Sequence, residues 1–210
     1  STATRPAPYV WSDTEIRALL NAAGGLSDPL RAATYETLFG LLAACGMRIG
    51  EALGLARTDV DLERGVITIN DAKFGRSRFV PMHPTTTDAL RAYLTRRNRL
   101  CPRADTASLF ISSRGSALAY RSAHTTFVEL STTIGVRTDS VRPRIHDIRH
   151  SFAVRTLINW HRAGADIESR MPALSNYLGH TNPSGTYWYL TAVPELMELA
   201  AARLDTRRRP

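Results

Sequence analysis

Helical patterning over most of the 210 residues, interrupted once by two alternating β-branched runs, predicts a mainly α-helical domain with a small antiparallel sheet, an α+β fold. Three observations carry this expectation. Long apolar or amphipathic segments with helix-type caps recur along the chain. The strand signals cluster in VITIN (66–70) and RFVPM (78–82). No internal repeat or interdomain linker divides the chain, so residues 12–204 are expected to form one domain, between a flexible lead-in (1–11) and a basic tail (205–210).

The elements follow in order. Ser12 with Glu15 three residues later is a capping-box pattern, and a helix should run from there to about Ala23, ended by Gly24-Gly25. Residues 30–45 form a strongly apolar helix suited to the centre of the core, and Gly46 stops it. Arg48 falls in the turn before a short helix, GEALGL. The two strands form a hairpin with Lys73 in its connection and Gly75 as the turn signal. Residues 85–99 read as a basic amphipathic helix, ASLFIS as a short extended stretch, and 116–134 as a helix. After a polar loop closed by Pro143, a helix is expected from His146 to about Trp160 and a shorter one over 171–180, ending at Gly179. An aromatic cluster, TYWYL, follows a Pro-Ser-Gly turn, and Pro194 suits the first turn of a last helix, 194–204.

Composition narrows the function. No apolar run approaches the ~18 residues of a membrane span. Cys45 and Cys101 do not make a disulfide framework, which points to a reducing compartment. The formal net charge is +8, which favours a polyanionic partner such as nucleic acid. Of 27 Lys and Arg residues, Lys73 is the single lysine. Arginine grips phosphate with a planar fork that stays protonated, whereas lysine can give up a proton.

Four separated segments hold residues suited to phosphate chemistry. Arg48 precedes Glu51 by three positions, a pair that could be purely structural or could orient the arginine. Lys73 lies on the hairpin. His146 and Arg149, three apart in RIHDIRHSFAV, share a helix face near its N-terminus, where an anion is favoured. A surface ion pair with Asp147 is the plainer reading of that segment. His146, Asp147 and His150 also distantly resemble a zinc-protease helix, but the acid is too short and Arg149 would put a fixed cation beside the metal. His180 follows a helix-ending glycine and could be a plain cap. Tyr189 lies nine residues later, with Tyr187 as the rival nucleophile. A tyrosine hydroxyl, with a pKa of about 10, needs nearby cations to act as one.

Taken together, the order Arg, hairpin Lys, His-x-x-Arg, His, Tyr resembles the catalytic set of the tyrosine recombinases, the phage-integrase family. GMRIGEALGL resembles the first-arginine box, HDIRHSFAV the second, and the spacing from LGH selects Tyr189. The resemblance covers about residues 12–200. It implies the integrase catalytic-domain fold and site-specific DNA cleavage and rejoining through a 3′-phosphotyrosyl intermediate, with Arg48, Lys73, His146, Arg149, His180 and Tyr189 catalytic and Glu51 supporting. No metal or other cofactor is expected. The family's N-terminal DNA-clamping domain is expected to be absent from this chain. The implied partners are double-stranded DNA and further copies of the chain in a tetrameric synapse, docked through 194–204, in a bacterial or phage cytoplasmic setting. Arg76, Arg91, Arg96, Arg97 and Arg99 are candidate DNA contacts, more suited to phosphate than to bases. DNA relaxation of the type IB topoisomerase kind, or DNA binding without catalysis, are the alternatives.

Overall fold

The computed structural model describes residues 8–71 and 76–179. Seven α-helices and a three-stranded antiparallel sheet appear among them, as expected for the α+β class. Helix α1 (Asp13–Gly24) begins at the anticipated capping box: Glu15 N donates to Ser12 Oγ, and Ser12 N donates to Glu15 Oε2 at 2.8 Å. Helix α2 (Pro29–Cys45) starts with Pro29 at its first position and Asp28 Oδ1 accepting from Leu30 N and Arg31 N. Its buried residues, among them Leu30, Tyr35, Leu38, Phe39, Leu41, Leu42 and Cys45, surround the helix rather than forming one stripe. That is the signature of a central helix, and α2 packs against α1, α4 (Pro84–Leu100) and α6 (Ile145–Arg162).

The short helix α3 (Ile49–Gly54) has Arg48 at its N-cap. A 3-10 turn (Arg57–Asp59) leads to β1 (Val60–Asp61), a two-residue strand too short to have announced itself in the sequence. It pairs with β2 (Val66–Asp71), which pairs with β3 (Arg76–Pro81). Strand β3 thus begins two residues before the expected Arg78. Asp71 faces Arg76 in the register, so the hairpin is as anticipated, although Lys73 itself lies outside the described residues.

Two helix starts differ from expectation. Residues 116–119 are not helical: Leu118 N donates to Phe110 O and Ser112 N to Ser116 O, so the chain returns along the LFIS stretch before α5 (Tyr120–Thr133) begins. Backbone pairing with that stretch supplies partners which a first helical turn would leave unmet. Helix α7 (Ile167–Leu178) starts four residues before the expected Met171, because Asp166 caps it through Ser169 N and Pro172 is accommodated inside it. Between α6 and α7 lies a second apolar cluster of Val154, Leu157, Met171, Leu174 and Leu178. Among the described residues no helix is long and apolar enough to cross a membrane.

Gly46 is where the core meets the site. It ends α2 with φ 60°, and a β-carbon there would collide with the Phe152 ring of α6. Gly46→Ala combines a left-handed backbone with overpacking, and should cost about 2–4 kcal/mol. The check is a denaturant midpoint, which should fall at unchanged slope.

Candidate active site

The end of α2, the start of α3, the sheet, the first half of α6 and the end of α7 meet around a group of arginines. Arg149 is 2% exposed and crosses this junction. Its Nη1 donates to Gly46 O at 2.9 Å and its Nη2 to Leu178 O at 2.6 Å. A charge so buried is tolerable because backbone carbonyls surround it. Arg48 is more open, with 39% of its side chain exposed. Its Nη1 donates to Glu51 Oε1 and its Nη2 to Gly179 O, both at 2.8 Å, and its backbone N donates to Glu51 Oε2. The expected Arg48–Glu51 pair therefore exists, and it is tied to the end of α7.

His146, half-buried on the first turn of α6, faces this cluster. Burial first, then the charge of Arg149, hold its pKa below the ordinary histidine range; Asp147 opposes this, and Arg144 and Arg48 reinforce it. The ring is thus neutral near pH 7 and can accept a proton. It stands edge-on to His150, with ring centroids 4.6 Å apart. Asp147 turns the other way: its carboxylate, 1% exposed, accepts from Arg144 N at 2.7 Å and from Arg144 Nη2 at 2.8 Å. The aspartate that a zinc reading would use is committed to a helix cap. It is not the surface ion pair the plainer reading suggested, because it is buried.

Arg78 carries no sequence expectation, yet it belongs to this group. Its Nη1 and Nη2 donate to the two oxygens of Glu51 at 3.0 and 2.7 Å, and its Nε donates to Tyr177 O at 3.1 Å. A signal was available in strand parity. Arg78 pairs with the buried Ile69 and shares a face with the buried Val80, whereas Phe79 on the other face is exposed. An arginine on the core face of a strand needs a partner.

The DNA-contact expectation fails for Arg97. It is 2% exposed and donates to Ser108 O and Thr106 O, beneath α4 rather than on its surface. It occupies the inward row of α4 with Leu90 and Tyr93, so helical phase decides its place. Arg91, Arg96 and Arg99 are exposed, with Arg91 against Asp88 and Arg96 near Glu36. Lys73, the Arg76 side chain, His180, Tyr189 and segment 194–204 lie outside the described residues.

Comparison with known proteins decides the family. The phage integrase family model matches residues 11–195. The chain is 47% identical to a putative integrase/recombinase, y4rB, of Sinorhizobium fredii, over 97% of this chain and 67% of that protein. The chain belongs to the phage integrase family. A second member, the tyrosine recombinase XerD of Mycobacterium leprae, is 34% identical over 89% of this chain and 58% of its own length. The chain therefore spans about three-fifths to two-thirds of these relatives. The crystal structure of XerA recombinase matches with a TM-score of 0.72 at 27% identity, covering 100% of this chain and 68% of that one. The fold of this integrase-family chain is thus the one that the motif resemblance implied.

Glu51 is the hub of the charged group. Burial would raise its pKa, but hydrogen bonds and charge from Arg78 and Arg48 outweigh burial and hold the carboxyl below the usual range. A depressed acid stabilises the fold above its unfolded pKa of about 4.3 and loses that contribution as pH falls through its folded value. Glu51→Gln should lower stability by about 2 kcal/mol at pH 7, the order of a lost charged hydrogen-bond centre. The deficit against the parent should shrink below pH 4, read from urea unfolding across the acid range.

Proposed function

We propose that this chain cleaves and rejoins DNA by phosphoryl transfer to Tyr189. The observation that carries the reading is the convergence of Arg48, Arg149 and His146 in one cluster, in a member of a family whose named relatives are recombinases. Two fixed guanidiniums suit the non-bridging oxygens of a phosphodiester. Their charge matters most when negative charge builds in the pentacoordinate transition state. Residues 12–204 are the proposed catalytic unit, with double-stranded DNA as substrate and a cytoplasmic setting.

The proposed reaction balances without any external energy source. The Tyr189 oxygen forms a bond to phosphorus, and its proton passes to a neighbouring base, for which His146 and His180 are the candidates. The bond from phosphorus to the 5′-oxygen breaks, and Lys73 gives that oxygen a proton. Rejoining runs the steps backwards with a 5′-hydroxyl from another strand. Exchange between strands requires several copies on DNA, and segment 194–204 is the proposed docking element. Its Leu196, Leu199, Ala200 and Leu204 suit one helix face.

The decisive test uses a pool of nicked duplexes of randomised sequence, in which a cleaved end cannot rejoin. The chain should form a denaturant-resistant adduct with a subset of the pool, and mass mapping should place the DNA on Tyr189. Tyr189→Phe should abolish the adduct while leaving DNA binding intact. Attachment at Tyr187, or no adduct from any duplex, would overturn the assignment.

Lys73 gives a second test. Lys73→Ala should slow cleavage by roughly 10²–10⁴-fold, the worth of a positioned general acid. Lys73→Arg should recover little, since arginine keeps its proton. On DNA with sulfur in place of the 5′-bridging oxygen, the alanine variant should recover most of its rate, because a thiolate leaves unprotonated. Absence of that recovery would move the acid role to another group.

A further inference from the structure

Tyr177, Leu178 and Gly179, at the end of α7, each offer a carbonyl to a different arginine. Arg78 Nε reaches Tyr177 O at 3.1 Å, Arg149 Nη2 reaches Leu178 O at 2.6 Å, and Arg48 Nη2 reaches Gly179 O at 2.8 Å. These carbonyls have no partner within the helix, and they stand at its negative end, where cations are favoured. Two of the three arginines are accounted for by the phosphate they would hold. Arg78 is not.

Its contacts close a ring. Both terminal nitrogens of Arg78 bond Glu51, Glu51 in turn accepts from Arg48 Nη1, and Arg48 bonds Gly179 two residues beyond Tyr177. Strand β3, helix α3 and the end of α7 are thereby fastened to each other by one two-sided guanidinium. Gly179 has φ 66°, and a β-carbon there would lie 2.7 Å from Arg78 Nη1. The guanidinium therefore lies directly against the backbone that leads to His180.

We propose that Arg78 is a positioning residue for the strand-transfer reaction: through Glu51 it orients Arg48 toward the phosphate, and through Tyr177 it sets the end of α7 from which the His180–Tyr189 segment departs. This rests on the phosphoryl-transfer reading above. The charge count gives the physical reason. With Arg78 present, one carboxylate is shared by two guanidiniums, and the three groups keep a net charge of +1. Without it, Glu51 neutralises Arg48 alone, and the support for the negative charge that builds in the transition state falls. Lysine would restore the charge but cannot fork onto two carboxylate oxygens and also reach a carbonyl.

The test follows single-turnover adduct formation by the chain on a duplex recovered from the randomised pool, across a range of pH. Arg78→Gln should be slower by roughly 10²-fold, the order seen when transition-state charge loses its support. Its DNA affinity should change by about threefold or less, because Arg78 is not itself the proposed phosphate ligand. The acid limb of the rate should also move to higher pH, since Glu51 loses one of the two cations that keep it ionised. The charged and titratable groups around the ring are Arg48, Arg149 and His146, together with Tyr177 and Cys45, whose pKa values burial raises; His146, a proposed base, also loses its neutral form as pH falls, so the movement belongs to Glu51 when it disappears on making Arg78→Gln in a Glu51→Gln background. In combination with Glu51→Gln the losses should not add, as expected for two members of one ring. Arg78→Lys, which keeps the charge and should fold if Arg78→Gln does not, should remain roughly tenfold slow. Variants within threefold of the parent rate, or an unmoved acid limb with additive losses, would show that Arg78 is only a structural tie. A parent chain that forms no adduct would remove the phosphoryl-transfer reading and this inference together.

Discussion

Everything around the site depends on how the end of α7 is held. A helix C-terminus that ends inside a protein leaves several carbonyls to satisfy, and here arginine side chains do it, from the N-cap of α3, from β3 and from α6. Each arginine comes from a different part of the chain, at sequence distances of 131, 99 and 29 residues. The interaction is therefore a tertiary lock as much as a helix cap. It joins the larger core around α2 to the smaller cluster between α6 and α7 through hydrogen bonds, where apolar contacts alone would permit sliding.

The same lock explains why cations can sit together. Arg48, Arg78 and Arg149 would repel one another if isolated, and burial would add to the cost. Glu51 neutralises one charge, and the negative end of α7 offsets part of the rest. What remains is an excess of positive charge in a half-buried site, with His146 kept neutral beside it. Such a charge distribution is suited to an anion. Arg48, the most open of the cluster's arginines, is the one best placed to meet it first.

Reading the residues alone reached a good part of this, for identifiable reasons. The capping box at Ser12, the apolar run of α2 and the β-branched hairpin are local signals, and each produced its element close to the expected bounds. The Arg48–Glu51 pair and the His146/Arg149 spacing are also local, being three residues apart. The failures share the opposite character. Residues 116–119 were drawn out of a helix by pairing with a stretch upstream, and α7 gained four residues because its capping aspartate lies well before the apolar pattern begins. Arg97 reads as one more basic residue on a basic helix, and only its phase against Leu90 and Tyr93 buries it.

The sequence by itself determined the fold class, the order of the elements and which residue types are available for phosphate chemistry. Those properties follow from periodicity, capping and composition, which act over a few residues. The tertiary structure alone decided that three arginines would meet at one helix end, that Glu51 would be shared between two of them, and that Asp147 would serve Arg144 rather than the histidines. It also brought in Arg78, which no motif marks. The physical reason is that a buried charge is tolerable only where acceptors converge, and convergence depends on elements packed from distant parts of the chain.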